Sequence, residues 1–146
     1  MSRPWASSKS RGARKVFVAD LRAYLAQAAA RPFRYGRHDC FTVAARWIAA
    51  CGGCDVLTGR EYASLREGLS LAAQDGHSDH LPWLHEACER IAPLTARAGD
   101  LAVFLQDDLP AVGIVRPGGE DVLSVSRTGP GIAPLTRADY CLRVLR

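Results

Sequence analysis

Across 146 residues, no apolar run approaches the ~18 consecutive residues that a membrane-spanning helix needs. No membrane span is therefore expected. An even, regularly spaced set of cysteines is also missing. The chain has five, which is not the disulfide framework of a small secreted domain. Free thiols made in a reducing compartment are the expectation. There are no internal repeats or low-complexity segments. Gly118-Gly119 and Gly129-Pro130-Gly131 lack the spacing of a phosphate-cradling loop. No basic patch is interleaved with aromatic residues, so nucleic acid is not an expected partner.

What is present describes one globular unit. Hydrophobic residues make up 48% and charged residues 23%, and the length suffices to bury a single core. The net charge of +4 is unevenly placed. Residues 1–15 carry Arg3, Lys9, Arg11, Arg14 and Lys15 and no acid. Subtracting those five from the 19 Lys and Arg leaves 14 against 15 Asp and Glu, so the body is near neutral. Residues 1–15 read as a basic flexible arm, and 16–146 as one domain. The arm suits contact with phosphate or an acidic protein face. Asp20 and Arg22 interrupt any signal-peptide core behind it, so no cleaved signal is expected.

Apolar residues at Val16, Phe17, Leu21, Tyr24, Leu25 and Ala28 predict a helix with one buried face over Val16–Ala30. Arg31-Pro32 ends it. A loop follows to Asp39, a good N-cap for a helix from Cys40 to Cys51 that Gly52-Gly53 terminates. That helix is apolar nearly all round and is expected to be buried. Two short helices are predicted over 62–75 and 81–91, with Ser78 or Asp79 capping the second. They form a helical insert at about 55–92. From Gly99 onward, apolar runs between turn residues predict strands at 101–105, 111–115 and 122–126. Two more are expected around 128–134 and 141–145. Asp107-Asp108 and Pro117-Gly118-Gly119 read as turns. Helices followed by a meander give an α+β domain with a sheet of about five antiparallel strands.

Cys40 opens the buried helix behind its N-cap. A helix N-terminus carries free N–H groups and a partial positive charge, which lower a thiol's pKa and can stabilise an oxyanion. Cys40 is therefore a candidate nucleophile, with Asp39 and Cys40 framing the oxyanion region.

The segment Pro32-Phe33-Arg34-Tyr35-Gly36, then Asp39-Cys40 and an apolar helix ending in Gly-Gly, resembles the nucleophile segment of the NlpC/P60 peptidases. Ala98-Gly99-Asp100-Leu101-Ala102-Val103-Phe104 resembles the strand that opens that family's sheet, and Ala111-Val112-Gly113-Ile114-Val115 its second strand. The resemblance is closest to short proteins encoded in phage and prophage tail modules. It implies a papain-like α+β core. In active members it also implies amide hydrolysis in cell-wall peptides by a Cys–His pair with a third polar group. The nucleophile carries over onto Cys40, and Phe33, Tyr35 and Gly36 onto the substrate loop. The family's histidine position is Ala111, and the third polar group falls near Ser124. Phe41 and Thr42 stand where Ser and Gly are usual.

A lone thiol lacks the acid that protonates the leaving amine, help typically worth about 10²–10⁴-fold. The resemblance thus implies a tail component with a degenerate site, carried in a virion after synthesis in the host cytoplasm. Its partners would be other tail proteins. A working hydrolase acting on host peptidoglycan is the alternative. His77, His80 or His85, in or beside the interhelical loop, could replace the missing base, whereas His38 is spaced to point away from the thiol. Solvent-exposed or helix-capping roles are the plainer reading of all four histidines.

Cys51 and Cys54, with His85 and Cys88, have donor types suited to zinc, but the gap between the pairs is long. No metal or other cofactor is expected. Trp47 is expected in the core, Trp83 packing the insert onto the sheet, and Trp5 serving the arm as an anchor.

Overall fold

The computed structural model describes residues 21–105 and 109–145. The basic arm, Trp5, the first residues of the expected Val16–Ala30 helix and the expected Asp107-Asp108 turn lie outside these. The architecture is α+β, with four helices and a six-stranded antiparallel open sheet among the described residues.

Helix α1 covers residues 21–30. It buries Leu21, Leu25 and Ala28, one stripe at helical spacing. Helix α2, Cys40–Ala50, lies against it. The Tyr24 hydroxyl donates to the Val43 carbonyl at 2.6 Å, and the Tyr24 and Trp47 rings lie 5.1 Å apart. Asp39 and Thr42 form a reciprocal capping box at the start of α2. As its composition predicts, α2 buries residues around most of its circumference, Phe41, Trp47 and Ile48 among them. Each such large side chain contributes roughly 2–3 kcal/mol of burial.

Helices α3 (Leu65–Gln74) and α4 (Leu81–Ala87) follow, both shorter than the spacing predicts. Residues 62–64 precede α3 because Ser64 caps it, which leaves Tyr62 free to turn inward. The N-cap position of α4 is His80, while the Asp79 carboxylate accepts from the Leu81 N–H. Residues 89–91 correct the expected helix: they form strand β1, Glu89–Ile91, paired with Arg143, Leu142 and Cys141 of the last strand. Sheet pairing offers those residues a full ladder that an isolated helical end cannot match.

The remaining strands are β2 (Leu101–Phe104), β3 (Ala111–Val115), β4 (Asp121–Ser126), β5 (Gly129–Pro134) and β6 (Tyr140–Arg143). Their order in the sheet is β1-β6-β2-β3-β4-β5. Side chains alternate between its faces. Leu101, Val103, Ile114 and Leu123 join the helical core. Ala102, Val115, Val122 and Cys141 form a smaller cluster on the other face, closed by Leu135 of a short 3-10 turn.

The start of β2 is locked onto α2. The Trp47 indole donates to the Gly99 carbonyl at 2.7 Å, across 52 residues of chain. Buried Asp100 accepts from the backbone N–H groups of Arg97 and Val144 and pairs with Arg143 at 3.2 Å. At the opposite edge, the Leu135 N–H bonds the Glu120 carbonyl, which sets the phase of the β4–β5 ladder. Pro130, Ile132 and Pro134 therefore turn their backbone nitrogens away from the sheet.

Candidate active site

The N-terminus of α2 opens into a groove of about 580 Å³. Its walls bring together Cys40, Phe33, Tyr35, Ala111 and Ser124, residues widely separated in sequence. The 32–40 loop is fixed by Asp39. One carboxylate oxygen accepts from the Thr42 N–H at 2.7 Å. The other accepts from the Gly36 N–H at 2.8 Å and the Tyr62 hydroxyl at 2.7 Å. Gly36 has φ +78°, and a Cβ there would collide with the Tyr62 carbonyl, so only glycine fits this turn. Gly36 shapes the loop without lining the groove, whereas Phe33 and Tyr35 meet edge to face and form its wall.

Cys40 is half-buried between this loop and β3. The expected lowering of its pKa by the helix tip is overturned: the thiol is pushed up to about 11. Burial is the main cause and the Asp39 charge adds to it. Together they outweigh the backbone hydrogen bonds of Val112, Phe41 and Cys40 itself, which pull the other way. The N-cap that builds the helix tip thus works against the thiolate.

No histidine nitrogen is hydrogen-bonded to the Cys40 sulfur among the described residues. His38 does point away, as its spacing predicts. It is buried, and its Nε2 meets the Ala28 carbonyl in the last turn of α1 at 2.8 Å, a helix-capping role. His85 is exposed and bonds the Tyr140 hydroxyl at 2.8 Å. His80 lines the groove. Its ring lies between Phe41 and Tyr62, with centroids 5.0 and 5.4 Å away. Its Nε2 is buried without a hydrogen-bond partner, and a Cβ on Gly68 of α3 would lie 2.9 Å from it. Burial lowers the His80 pKa against the opposing pull of Asp39, which keeps the ring neutral at physiological pH.

Ser124 is in the groove but already engaged, donating to the Val112 carbonyl at 2.9 Å. No three His, Cys, Asp or Glu side chains converge on a metal-sized site among the described residues, and Cys51, Cys54, His85 and Cys88 do not assemble one. Trp47 is a core residue, and Trp83 is buried in the core shared by the helices and the sheet, its ring against Phe41 of α2.

Sequence reasoning missed Tyr62, Arg127 and Arg137. Tyr62 carries no local signal, because its partner Asp39 is 23 residues away. Arg127 and Arg137 enter the groove only through the β4–β5 hairpin and the turn after it.

Residues 14–144 match a family described as a domain of unknown function, DUF6950. The chain belongs to the DUF6950 family. A search of curated proteins returned no match. The DUF6950 match spans both the Asp39-Cys40 loop and the Gly99-Asp100-Leu101 strand, the two segments that build and anchor the groove.

Proposed function

We propose that this DUF6950 protein is a non-hydrolytic relative of the NlpC/P60 peptidases with a papain-like core. It serves as a structural component of a phage or prophage tail, near the tail tip. The observation that carries the non-hydrolytic part is the state of Cys40. Its sulfur has no imidazole partner, the small Ala111 side chain stands in the groove, and the thiol pKa is about 11. At neutral pH roughly one sulfur in 10⁴ is then thiolate, and no positioned acid meets a leaving amine. The tail assignment rests on the family resemblance. In that setting the chain is carried in the virion, its partners are neighbouring tail proteins, and the basic arm is a contact element.

A second reading is favoured by one observation, that neutral His80 lines the same groove as Cys40. In it the chain is a cysteine hydrolase of host cell-wall peptides, with His80 as base after a shift of α4. Two measurements separate the readings. Iodoacetamide labelling of Cys40 should stay slow at pH 7 and rise toward pH 11. Purified peptidoglycan should release no peptide with either wild type or Cys40→Ala. Peptide release by wild type that disappears in Cys40→Ala would establish the hydrolase reading instead.

A further inference from the structure

Strands β3 and β4 pair through Val115↔Val122 and Ile114↔Leu123 and then part. The same register would next bring Gly113 to Ser124 and then Val112 to Val125, and neither pair is formed. The Ser124 hydroxyl takes the Val112 carbonyl instead. Val112, Ser124 and Val125 all line the groove. The ladder phase turns the N–H and C=O of Val125 toward this gap, so the groove wall holds main-chain groups outside the β3–β4 ladder. Backbone groups of this kind are matched by the backbone of an extended polypeptide.

The charges in the groove select among polypeptides. Arg127, in the turn after β4, and Arg137, in the turn after β5, both line it and are exposed. Neither forms an ion pair with a described residue. Of the acids in the lining, Asp39 is buried with both oxygens engaged, and Asp79 accepts from the Leu81 N–H. Asp39 is buried and Asp79 half-buried, whereas both arginines are exposed, so the charge most open to a ligand is positive. The aromatic pair Phe33 and Tyr35 and the half-exposed Ile132 supply apolar surface beside it.

We propose that the groove docks an extended segment of a partner protein that carries acidic and apolar side chains. This rests on the non-hydrolytic assembly reading and gives that reading its contact site. The segment's backbone meets Val125 at the β3–β4 gap, its carboxylates meet Arg127 and Arg137, and its apolar side chains pack on Phe33, Tyr35 and Ile132. The basic residues 1–15 of the chain itself have the wrong sign to be the occupant.

The test is selection of random linear peptides displayed against the full-length protein. The expected consensus places Asp or Glu beside apolar residues. Affinity for synthetic peptides of that consensus should fall about tenfold or more in the double variant Arg127→Glu, Arg137→Glu and weaken with salt. Both positions are exposed, so the variant should fold, and circular dichroism checks that it does. Ala111→Trp, which fills the groove, should also abolish binding. A basic or uncharged consensus, peptides resembling residues 1–15, no enrichment over Ala111→Trp, or binding indifferent to the double reversal would each overturn the docking assignment. Cys40-dependent cleavage of the selected peptides would overturn the non-hydrolytic reading while the docking assignment stood.

Discussion

Asp39 and Asp100 are both buried carboxylates, and each lies beside thiols, yet they serve different neighbourhoods. Asp39 caps α2 and takes three neutral donors, from Thr42, Gly36 and Tyr62, at the edge of an open groove. Asp100 is fully enclosed, takes two backbone N–H groups and faces a cation, Arg143. Both raise the thiols near them: Asp39 adds to burial at Cys40, and Asp100 adds to it at Cys88 and Cys141. Only the first aspartate belongs to a motif that looks catalytic, but the two act alike on sulfur. An Asp-Cys pair at a helix start can therefore be kept for its capping value alone. The chemical meaning of the pair depends on whether a base stands across the groove.

The comparison breaks first at Asp100. Asp100→Ala should cost about 3–5 kcal/mol, because it removes a buried carboxylate that pairs with Arg143 and leaves two backbone donors unpaired. A urea midpoint that scarcely moves would mean the enclosed carboxylate is not an anchor. Asp39→Ala should cost less, about 2–3 kcal/mol, from loss of the cap and of the Tyr62 and Gly36 bonds. A cost for Asp39→Ala equal to or above that for Asp100→Ala in the same titration would reverse the ranking.

Ala111→His tests whether one side chain separates this groove from a reactive one. Alkylation of Cys40 at pH 7.5 should rise about tenfold, worth about 1.4 kcal/mol, as an imidazole begins to share the thiol proton. An unchanged rate would show that burial alone keeps the sulfur quiet. Trp47→Phe should cost about 1 kcal/mol by removing the donor to the Gly99 carbonyl, with the ring space largely kept.

Alkali should affect both aspartate neighbourhoods. Cys40, Cys88 and Cys141 are each raised from 9.0 to about 11 in the folded chain, so the fold favours their protonated forms. That stabilisation is complete below about pH 9 and is lost as the pH climbs toward 11. Denaturant midpoints measured between pH 8 and pH 11 should fall accordingly. A flat profile would show that the thiols titrate alike folded and unfolded.

Much of this was legible in the sequence. The helix from Cys40, its Asp39 cap, the core role of Trp47 and, within a residue at either end, the strands expected at 101–105, 111–115 and 122–126 follow from local spacing and turn residues. That Cys40, Ala111 and Ser124 belong together was implied by the NlpC/P60 resemblance, and all three line one groove. Strand β1 was not legible, because its identity comes from pairing with β6, more than fifty residues on. The rise in the Cys40 pKa was also hidden, since the helix tip is a local feature and burial is not. Tyr62 and the two groove arginines join the site through tertiary contacts that no window of sequence contains.

The sheet margins have a consequence for crowding. On one margin β5 has only Ile132 with a backbone nitrogen to offer outward, flanked by Pro130 and Pro134. On the other, β1 is three residues long and begins with exposed Glu89 and Arg90. A stack of such sheets cannot propagate strand to strand. Contacts between crowded copies therefore fall to side chains and loops rather than to these two edges.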